Sequence, residues 1–226
     1  MPHMTLSTIH FSQISGNTSL KLPVAPESAS PCPCADMDAA FFGWPLIDEQ
    51  VPTRLVACEG FDHARLGDVR MMELHFILSG RVADILTEFD LGCSRLTRVP
   101  LVSANGVEIS GPWYHLHIAE RKDTLVPLAK DSFDGINKER GLVSGWPDTA
   151  PGAIAVELSA ETGVDLWRDP MWDFGIFASV RLVETLKAAG LGEEFAWMPA
   201  RHATEVERAD VVMQRQNGAT LPQGLA

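Results

Sequence analysis

Residues 177–199 carry the clearest pattern of apolar and polar positions in the chain. Apolar side chains recur at helical spacing after a residue that favours helix N-caps, and a glycine suited to the left-handed position follows the last of them. In order, these positions are Ser179, Leu182, Leu186, Ala189 and Gly190. Phe195, Trp197 and Pro199 then alternate with their neighbours as on a half-buried strand. The pattern predicts one helix followed by one strand.

Much of this pattern also occurs one hundred residues earlier in the chain. The identical positions are Ser79, Arg81, Leu86, Leu91 and Gly92, which match Ser179, Arg181, Leu186, Leu191 and Gly192. They are cap, core and C-terminal stop positions, where two copies of one structural unit should agree. We therefore expect an α+β fold with mixed sheets and a few helices, in which two related strand–helix–strand units are joined by a long connector.

Proline, glycine and polar stretches divide the chain around these two units. Prolines between residues 23 and 33 rule out a long helix near the N-terminus, and glycines and prolines recur between residues 127 and 152. The predicted parts are an irregular N-terminal arm (1–50), a first α/β half (51–128), a connector (129–152), a second α/β half (153–213) and a flexible tail (214–226).

Shorter signals add further elements. Strands are predicted at 54–58, 95–102, 113–119, 153–158 and 164–167. The aromatic and branched content of 113–119 suits a central strand, and Asn105-Gly106 is a strong hairpin turn signal. Residues 201–213 suit a final short helix. We expect the aromatic segment 41–46 to pack onto the domain, with an exposed contact patch as the alternative.

The composition restricts the class of partner. The 226 residues carry a net charge of −12 and a pI near 4.9. Nucleic acids and anionic membranes are disfavoured as partners, because their phosphates would be repelled. A basic protein is the natural complement, and solubility alone is the other explanation. No run of eighteen apolar residues and no secretory signal is present, so we expect a cytoplasmic location.

Candidate chemistry is sparse. The sequence contains no nucleophile elbow, P-loop, dinucleotide fingerprint or zinc-protease motif. His115 and His117 share one face of their predicted strand, which is a geometry that can bind a metal through two imidazoles. Nothing fixes a third ligand by spacing, and two histidines packed within a sheet are the alternative. The side chains available as further ligands are His63, His75, Asp123, Asp131 and Asp134.

The cysteines do not form a recognisable metal or redox motif. Cys32 and Cys34 lack the C-x-x-C spacing of zinc knuckles and thioredoxin-like proteins. We interpret them, together with Cys58 and Cys93, as reduced thiols, and we expect no cofactor and no catalytic residue.

An acidic and aromatic stretch is the most unusual local composition. Its members are Asp165, Trp167, Asp169, Trp172 and Asp173. Aromatic rings supply area that becomes desolvated on binding, and carboxylates supply orientation and a fast association rate. The stretch is therefore a candidate binding site for a basic protein partner. The alternative is that both tryptophans belong to the core and the acids lie on a loop.

The repeated unit resembles a known family. Residues 175–192 run Gly-Ile-Phe-Ala-Ser-Val-Arg-Leu-Val-Glu-Thr-Leu-Lys-Ala-Ala-Gly-Leu-Gly. They resemble the apolar run, Ser, Arg-Leu, alanine-rich helix and Gly-Leu-x-Gly-x-x-Phe of the Imm11 (DUF1629) immunity proteins of bacterial polymorphic toxin systems. Residues 78–86 resemble the family's N-terminal segment, and 113–118 with the later Asp123 and Asp131-Ser132 resemble its Tyr-rich strand and connector. His115 and His117 depart from that pattern, which has less basic side chains there.

The resemblance covers residues 70–200 and implies neutralisation of a toxin without enzyme activity. Our leading hypothesis is a cytoplasmic bacterial immunity protein that binds a basic cognate toxin domain, delivered by contact-dependent or type VI secretion, and blocks its active site or substrate access. The alternative is a small metal-dependent or hydrolytic enzyme that uses His115 and His117. A third hypothesis is a delivery adaptor or chaperone that binds outside the toxin's catalytic domain. The sequence leaves the toxin, the contact surface and the oligomeric state open.

Overall fold

The structure is a computed structural model that describes most of residues 43–208 together with one short N-terminal strand. The described ranges are 9–12, 43–47, 51–57, 67–72, 75–103, 105–126, 133–137, 142–147, 154–172, 175–192, 194–195 and 197–208. Within them the chain has several sheets and few helices, which confirms the predicted α+β class.

The strands and helices are short. In chain order the strands are β1 (Ile9–Ser12), β2 (Leu55–Val56), β3 (Val69–Met72), β4 (His75–Ser79), β5 (Arg95–Val99), β6 (Leu101–Val102), β7 (Trp113–His117), β8 (Leu125–Val126), β9 (Phe133–Asn137), β10 (Leu142–Pro147), β11 (Ala155–Val156), β12 (Leu166–Arg168), β13 (Ile176–Ala178) and β14 (Trp197–His202). The α-helices are α1 (Gly80–Leu86) and α2 (Val180–Ala188), and a 3₁₀-helix spans Leu158–Glu161. A further helical turn is described at 205–208.

The two halves share one strand arrangement. In the first half the described strands are ordered β3-β4-β7-β5, and in the second the corresponding part of the sheet is ordered β12-β13-β1-β14. β7 is antiparallel to both β4 and β5, and β1 is antiparallel to both β13 and β14. Each half is therefore a β-α-β unit whose two parallel strands are separated by an inserted antiparallel strand.

The two inserted strands lie on opposite sides of their units in the sequence. β7 follows the first unit, whereas β1 precedes the second unit by more than 150 residues. The sequence pattern predicts an irregular arm over 1–50, and the structure differs at Ile9–Ser12, which lie between β13 and β14. Four residues carry too little periodicity to identify a strand from sequence, so their pairing partners decide their structure.

Both units contribute to one shared core. Phe76 and Leu78 of β4 face this core, as do Ile176 and Ala178 of β13, because side chains two apart on a strand point to the same face. Leu182, Val183 and Leu186 of α2 and Val82 and Leu86 of α1 complete it. The matched apolar positions of the repeat thus pack against one another across the centre of the molecule.

The opposite face of each sheet has its own apolar cluster. Ile77, which lies between Phe76 and Leu78, packs with Leu55, Val99, Leu101, Ile109 and Trp113. Phe177 occupies the corresponding position in β13 and packs with Trp167 and Trp172. The rings of Trp167 and Phe177 are stacked with centroids 5.8 Å apart. The alternation within β4 and β13 therefore divides the described core into a central layer and two outer layers.

The two helices end at different positions of the repeat, and the residues at their ends differ. Gly190 has φ +75° after α2, and the Leu191 N–H donates to the Leu186 carbonyl oxygen at 2.9 Å. This bond and the contact between Leu191 and the core are the features of a Schellman stop, as the sequence predicts. The first unit has Asp90 at the position that corresponds to Gly190. Its helix α1 ends at Leu86, two residues before the position that corresponds to Ala188, the last residue of α2.

Several shorter predictions are confirmed. Asn105-Gly106 forms the turn of a hairpin, in which Gly106 has φ +80° and Val102 pairs with Glu108. β7 lies in the middle of its sheet. The predicted connector also contains two strands, β9 and β10, which pair antiparallel to each other.

The C-terminal region differs from its predicted helix. Arg201 and His202 belong to β14, and helical structure begins at Glu205.

Some of the predictions concern residues outside the described ranges. These are the proposed tail, Cys32, Cys34, Cys58 and Asp173, together with the side chains of His63, His75, Asp131 and Asp134. No helix in the described part of the chain has the length and apolar character needed to cross a membrane.

Candidate functional site

The acidic and aromatic stretch lies on β12 and the loop that follows it. Trp167 is fully buried, Trp172 is 1% exposed, and Asp165 and Asp169 are 4% and 3% exposed. These four side chains therefore do not form an exposed patch in the folded chain. Their role in binding a partner stays a prediction, and any such role is indirect unless the loop opens.

Asp165 joins the start of β12 to the start of α2. Its carboxylate accepts hydrogen bonds from the Ser179 hydroxyl and from the Arg181 guanidinium, both at 2.5 Å, and from the Asp90 backbone N–H at 3.0 Å. Burial acts to raise the pKa of Asp165, but these hydrogen bonds outweigh it and hold the pKa below its usual range. Asp165 is thus an ionised group that fixes a strand–helix junction.

The first half contains the same arrangement of side chains. The Ser79 hydroxyl donates to Asp68 at 2.5 Å, and Arg81 lies 3.6 Å from the same carboxylate. The backbone repeats as well, because the Ser79 N–H donates to the Asp68 carbonyl oxygen just as the Ser179 N–H donates to that of Asp165. We name these two sets the Asp–Ser–Arg triads: Asp68, Ser79 and Arg81, and Asp165, Ser179 and Arg181.

The aspartates of the triads do not follow the hundred-residue offset. Val69 pairs with Leu78, whereas Leu166 pairs with Ala178, so the second hairpin is three residues longer than the first. An alignment at constant offset therefore finds the serines and arginines and misses Asp68. The sequence signal that would identify it is an aspartate directly before the first strand of each hairpin.

The triad arginines also connect the two units. Arg81, in the first turn of α1, donates to the carbonyl oxygen of Ala189 at the end of α2. Arg181, in the first turn of α2, lies over the ring of Phe89 just beyond the end of α1, 4.9 Å from its centroid. The helices therefore run antiparallel, and each arginine contacts the C-terminal region of the other helix.

Asp169 holds a second buried junction. Its Oδ2 accepts from the backbone N–H groups of Thr124 and Leu125 at 2.7 and 2.6 Å, and its Oδ1 accepts from that of Met171 at 2.9 Å. Burial raises the pKa of Asp169 to about 6, against the effect of these N–H groups. The carboxylate attaches the loop after β12 to the segment that leads into β8.

The Thr124 hydroxyl extends this junction to Trp167, whose indole N–H donates to it at 3.2 Å. The Lys122 ammonium lies 4.6 Å from the centre of the Trp167 ring and donates to the carbonyl oxygens of Ala160 and Thr162. Trp167 is therefore held by stacking on one side and by polar contacts on the other. Its role, like that of Trp172, is to connect elements of the second half.

His115 and His117 lie on the outer face of the first sheet. They are 1% and 4% exposed, and their ring centroids are 6.5 Å apart. The His117 Nε2–H donates to the Trp44 carbonyl oxygen at 2.5 Å, which attaches the segment 43–47 to this face. Among the described side chains, no group of three or more His, Cys, Asp or Glu is placed to hold a metal ion. The metal-dependent or hydrolytic alternative stays a prediction.

The segment 43–47 only partly follows its predicted packing. Gly43 is buried against Arg168 and the Ile118 carbonyl oxygen, whereas Trp44 is 37% and Ile47 60% exposed. Cys93, the cysteine that the structure describes, is exposed and forms no disulfide with the described residues, and partial desolvation of its sulfur together with the neighbouring Glu120 carboxylate raises its pKa.

Most of the acidic side chains that the structure describes lie at the surface. Of the acidic side chains that the structure describes, Asp165 and Asp169 are the buried ones.

Comparison with known proteins identified no relative of this chain. No family model matches it, and no curated protein matches its sequence. The resemblance to the Imm11 family therefore remains a hypothesis.

Proposed function

We propose that this protein is a bacterial immunity protein, which binds the catalytic domain of a cognate toxin in the cytoplasm and blocks its active site or its access to substrate. The observation that carries the proposal is the net charge of −12, together with a duplicated scaffold on which the described acidic side chains, except Asp165 and Asp169, are not buried. Such a surface attracts a basic partner and raises the rate of association.

The residues of the repeated motif make contacts within the fold, which leaves partner binding to other residues. Ser179 and Arg181 are among the residues that resemble the Imm11 segment, and both are engaged with Asp165. Leu182 and Leu186 are fully buried. The residues behind the resemblance thus hold the fold, and we assign recognition of a partner to the exposed surface around them.

The proposed mechanism is occlusion. A preformed interface of roughly 1,600 Å² in total would cover the toxin's active site, with apolar contacts at its centre and carboxylates at its rim. Because the binding surface is supported by sheets, little conformational entropy is lost on association, which favours tight binding.

Co-expression with the toxin encoded beside this gene tests the proposal. We expect cells that produce both proteins to survive, and the two proteins to elute together in gel filtration. Leu186→Asp is the matched control, since a carboxylate at this buried position disrupts the shared core and should abolish protection. The proposal fails if cells with the intact protein die as readily as cells without it and no complex forms.

A further inference from the structure

Two parallel strands of the second half end side by side at one edge of the molecule. β11 and β14 are parallel, with Ala155 opposite Arg201 and Val156 opposite His202. The pairing extends one step further, since the Ala203 N–H donates to the Val156 carbonyl oxygen at 2.9 Å. The chain enters the 3₁₀-helix Leu158–Glu161 after β11 and the helical turn 205–208 after β14. Two helical turns are therefore brought together at this edge.

Polar contacts fix these turns to each other. Glu161 lies 2.7 Å from the Nε2 of His202, and Arg208 lies 3.8 Å from Glu157. Both contacts connect a residue on or next to the 3₁₀-helix to one on β14 or the turn that follows it. The edge is thus preorganised before any partner binds.

The turn 205–208 has its own capping box. The Thr204 N–H donates to Glu207 at 2.8 Å, and the Glu207 N–H donates to the Thr204 hydroxyl at 3.3 Å. Arg201 donates to both oxygens of Glu207, at 2.9 and 2.5 Å. The first turn after β14 is therefore held from both sides.

This rigid edge leaves two aliphatic side chains in water. Leu158 is 52% exposed on the 3₁₀-helix and Val206 is 71% exposed on the neighbouring turn. We define the Leu158/Val206 surface as these two residues together with Glu157, Glu161, Glu205 and Glu207. Apolar side chains on a fixed backbone lose little entropy when a partner covers them, which suits the centre of an interface.

The charges around the two aliphatic residues favour one kind of partner. The positive groups next to these two turns are already engaged: Arg201 with Glu207, Arg208 with Glu157, and Lys122 with the carbonyl oxygens of Ala160 and Thr162. Glu205 and Glu161 are exposed, and the four carboxylates outnumber these three cationic side chains. The local charge is thus negative around an apolar centre.

We propose that the Leu158/Val206 surface is the docking site for a basic protein surface that presents an apolar side chain among lysines and arginines. This inference rests on the proposed function and deepens it, because it names the part of the chain that contacts the toxin. The partner's cations pair with Glu161 and Glu205, and its apolar group covers Leu158 and Val206.

Binding measurements with the purified toxin domain encoded beside this gene test the site. The variant Leu158→Ser/Val206→Ser should weaken binding at least about tenfold, since apolar anchors at an interface centre carry most of its energy. The matched control is Ile47→Ser/Val107→Ser, which changes two aliphatic residues that are 60% and 62% exposed elsewhere. We expect the control to change the Kd less than about twofold, and thermal unfolding of both variants should match that of the original protein.

A double charge-reversal variant tests the proposed attraction between the carboxylates of this surface and the partner's cations. Glu161→Lys/Glu205→Lys should slow association at least about tenfold at low salt and flatten its dependence on ionic strength. Glu88→Lys/Glu108→Lys makes the same change of charge at exposed acids of the first half and should affect association much less.

The outcomes separate the two proposals. If the original protein binds the toxin domain and the site and control variants bind equally well, the docking site is wrong and the proposed function stands. If the original protein does not bind, both are overturned. If Leu158→Ser/Val206→Ser converts an oligomer of the free protein into a monomer, the occupant is a second copy of this chain, and the toxin assignment of the surface is overturned.

Discussion

Asp165 and Asp169 lie four residues apart and are both buried, yet their pKa values move in opposite directions. Burial acts to raise the pKa of each carboxylate. Asp165 receives a guanidinium and a hydroxyl in addition to a backbone N–H, and its pKa falls. Asp169 receives neutral donors, with the charge of Asp123 nearby, and its pKa rises to about 6. The Ser179 hydroxyl and the Arg181 guanidinium therefore lower the pKa of Asp165, whereas burial dominates at Asp169.

We expect Asp169→Asn to change how the free energy of unfolding depends on pH. The folded-state pKa of about 6 lies above the reference value of 3.8, so the stabilising contribution of Asp169 is complete below about pH 4 and is lost as the pH rises through about 6. Asparagine does not titrate. As the pH rises from 4 to 7, the free energy of unfolding of the variant should therefore increase by about 2 to 3 kcal/mol relative to that of the original protein, since one pKa unit corresponds to about 1.4 kcal/mol.

Urea unfolding at a series of pH values measures this difference. Asp123→Asn is the matched control, because it removes a neighbouring negative charge that is exposed. The control should keep most of the pH dependence of the original protein. Parallel stability profiles for Asp169→Asn and the original protein would show that Asp169 does not titrate in this range.

At the scale of single elements, the two helix starts show how one motif can stabilise to different extents. Ser179 accepts the Leu182 N–H at 3.2 Å while its hydroxyl donates to Asp165. Ser79 donates to Asp68 in the same way, but its side chain makes no cap hydrogen bond to α1. The aspartates differ as well, because the side chain of Asp165 is 6% exposed and that of Asp68 is 31% exposed.

We therefore expect Ser179→Ala to destabilise the protein more than Ser79→Ala. Loss of an N-cap costs about 1 kcal/mol, and loss of a hydrogen bond to a buried carboxylate adds about 1 kcal/mol or more. Ser79→Ala removes one hydrogen bond to a partly exposed carboxylate and should cost about 1 kcal/mol or less. Denaturant unfolding of the two variants makes the comparison. Equal losses would mean that the triads do not differ in strength.

At the scale of the whole molecule, the strand between the two parallel strands of each unit comes from a different part of the chain. Each has two parallel strands separated by a gap one strand wide, and an antiparallel strand must fill it. β7 does so in the first unit from the sequence that follows it, and β1 does so in the second from the distant N-terminus. The second half is therefore completed only when the N-terminal strand returns to it.

Deletion of residues 1–12 should destabilise the second half selectively. It removes the backbone pairing of β1 with both β13 and β14, and each lost hydrogen bond costs about 1 kcal/mol. Hydrogen exchange should accelerate at the amides of Ile176–Ala178 and of residues 197–200, while those of Trp113–His117 stay protected. Deletion of residues 1–8, which ends before β1, is the control. Equal protection in the two deletions would show that β1 is dispensable for the sheet.

The sequence by itself determined the local elements of this protein. Helical spacing, the cap at Ser179 and the stop at Gly190 specify α2 through contacts between residues a few positions apart, and Asn105-Gly106 specifies its hairpin in the same way. The hundred-residue repeat also predicted that two equivalent units exist. These features are visible in sequence because the interactions that produce them are local and periodic.

Only the tertiary structure decided which distant residues meet. It places Asp68 with Ser79, inserts β1 beside β13, and buries Trp167 and Trp172, for which the sequence left both a binding patch and a core position open. It also brings Leu158 next to the turn that carries Val206, through two parallel strands. A sequence pattern shows that an aromatic or acidic side chain is present, but its exposure depends on which other elements pack over it. That choice is made by the free energy of the assembled core, to which residues far apart in the chain contribute together.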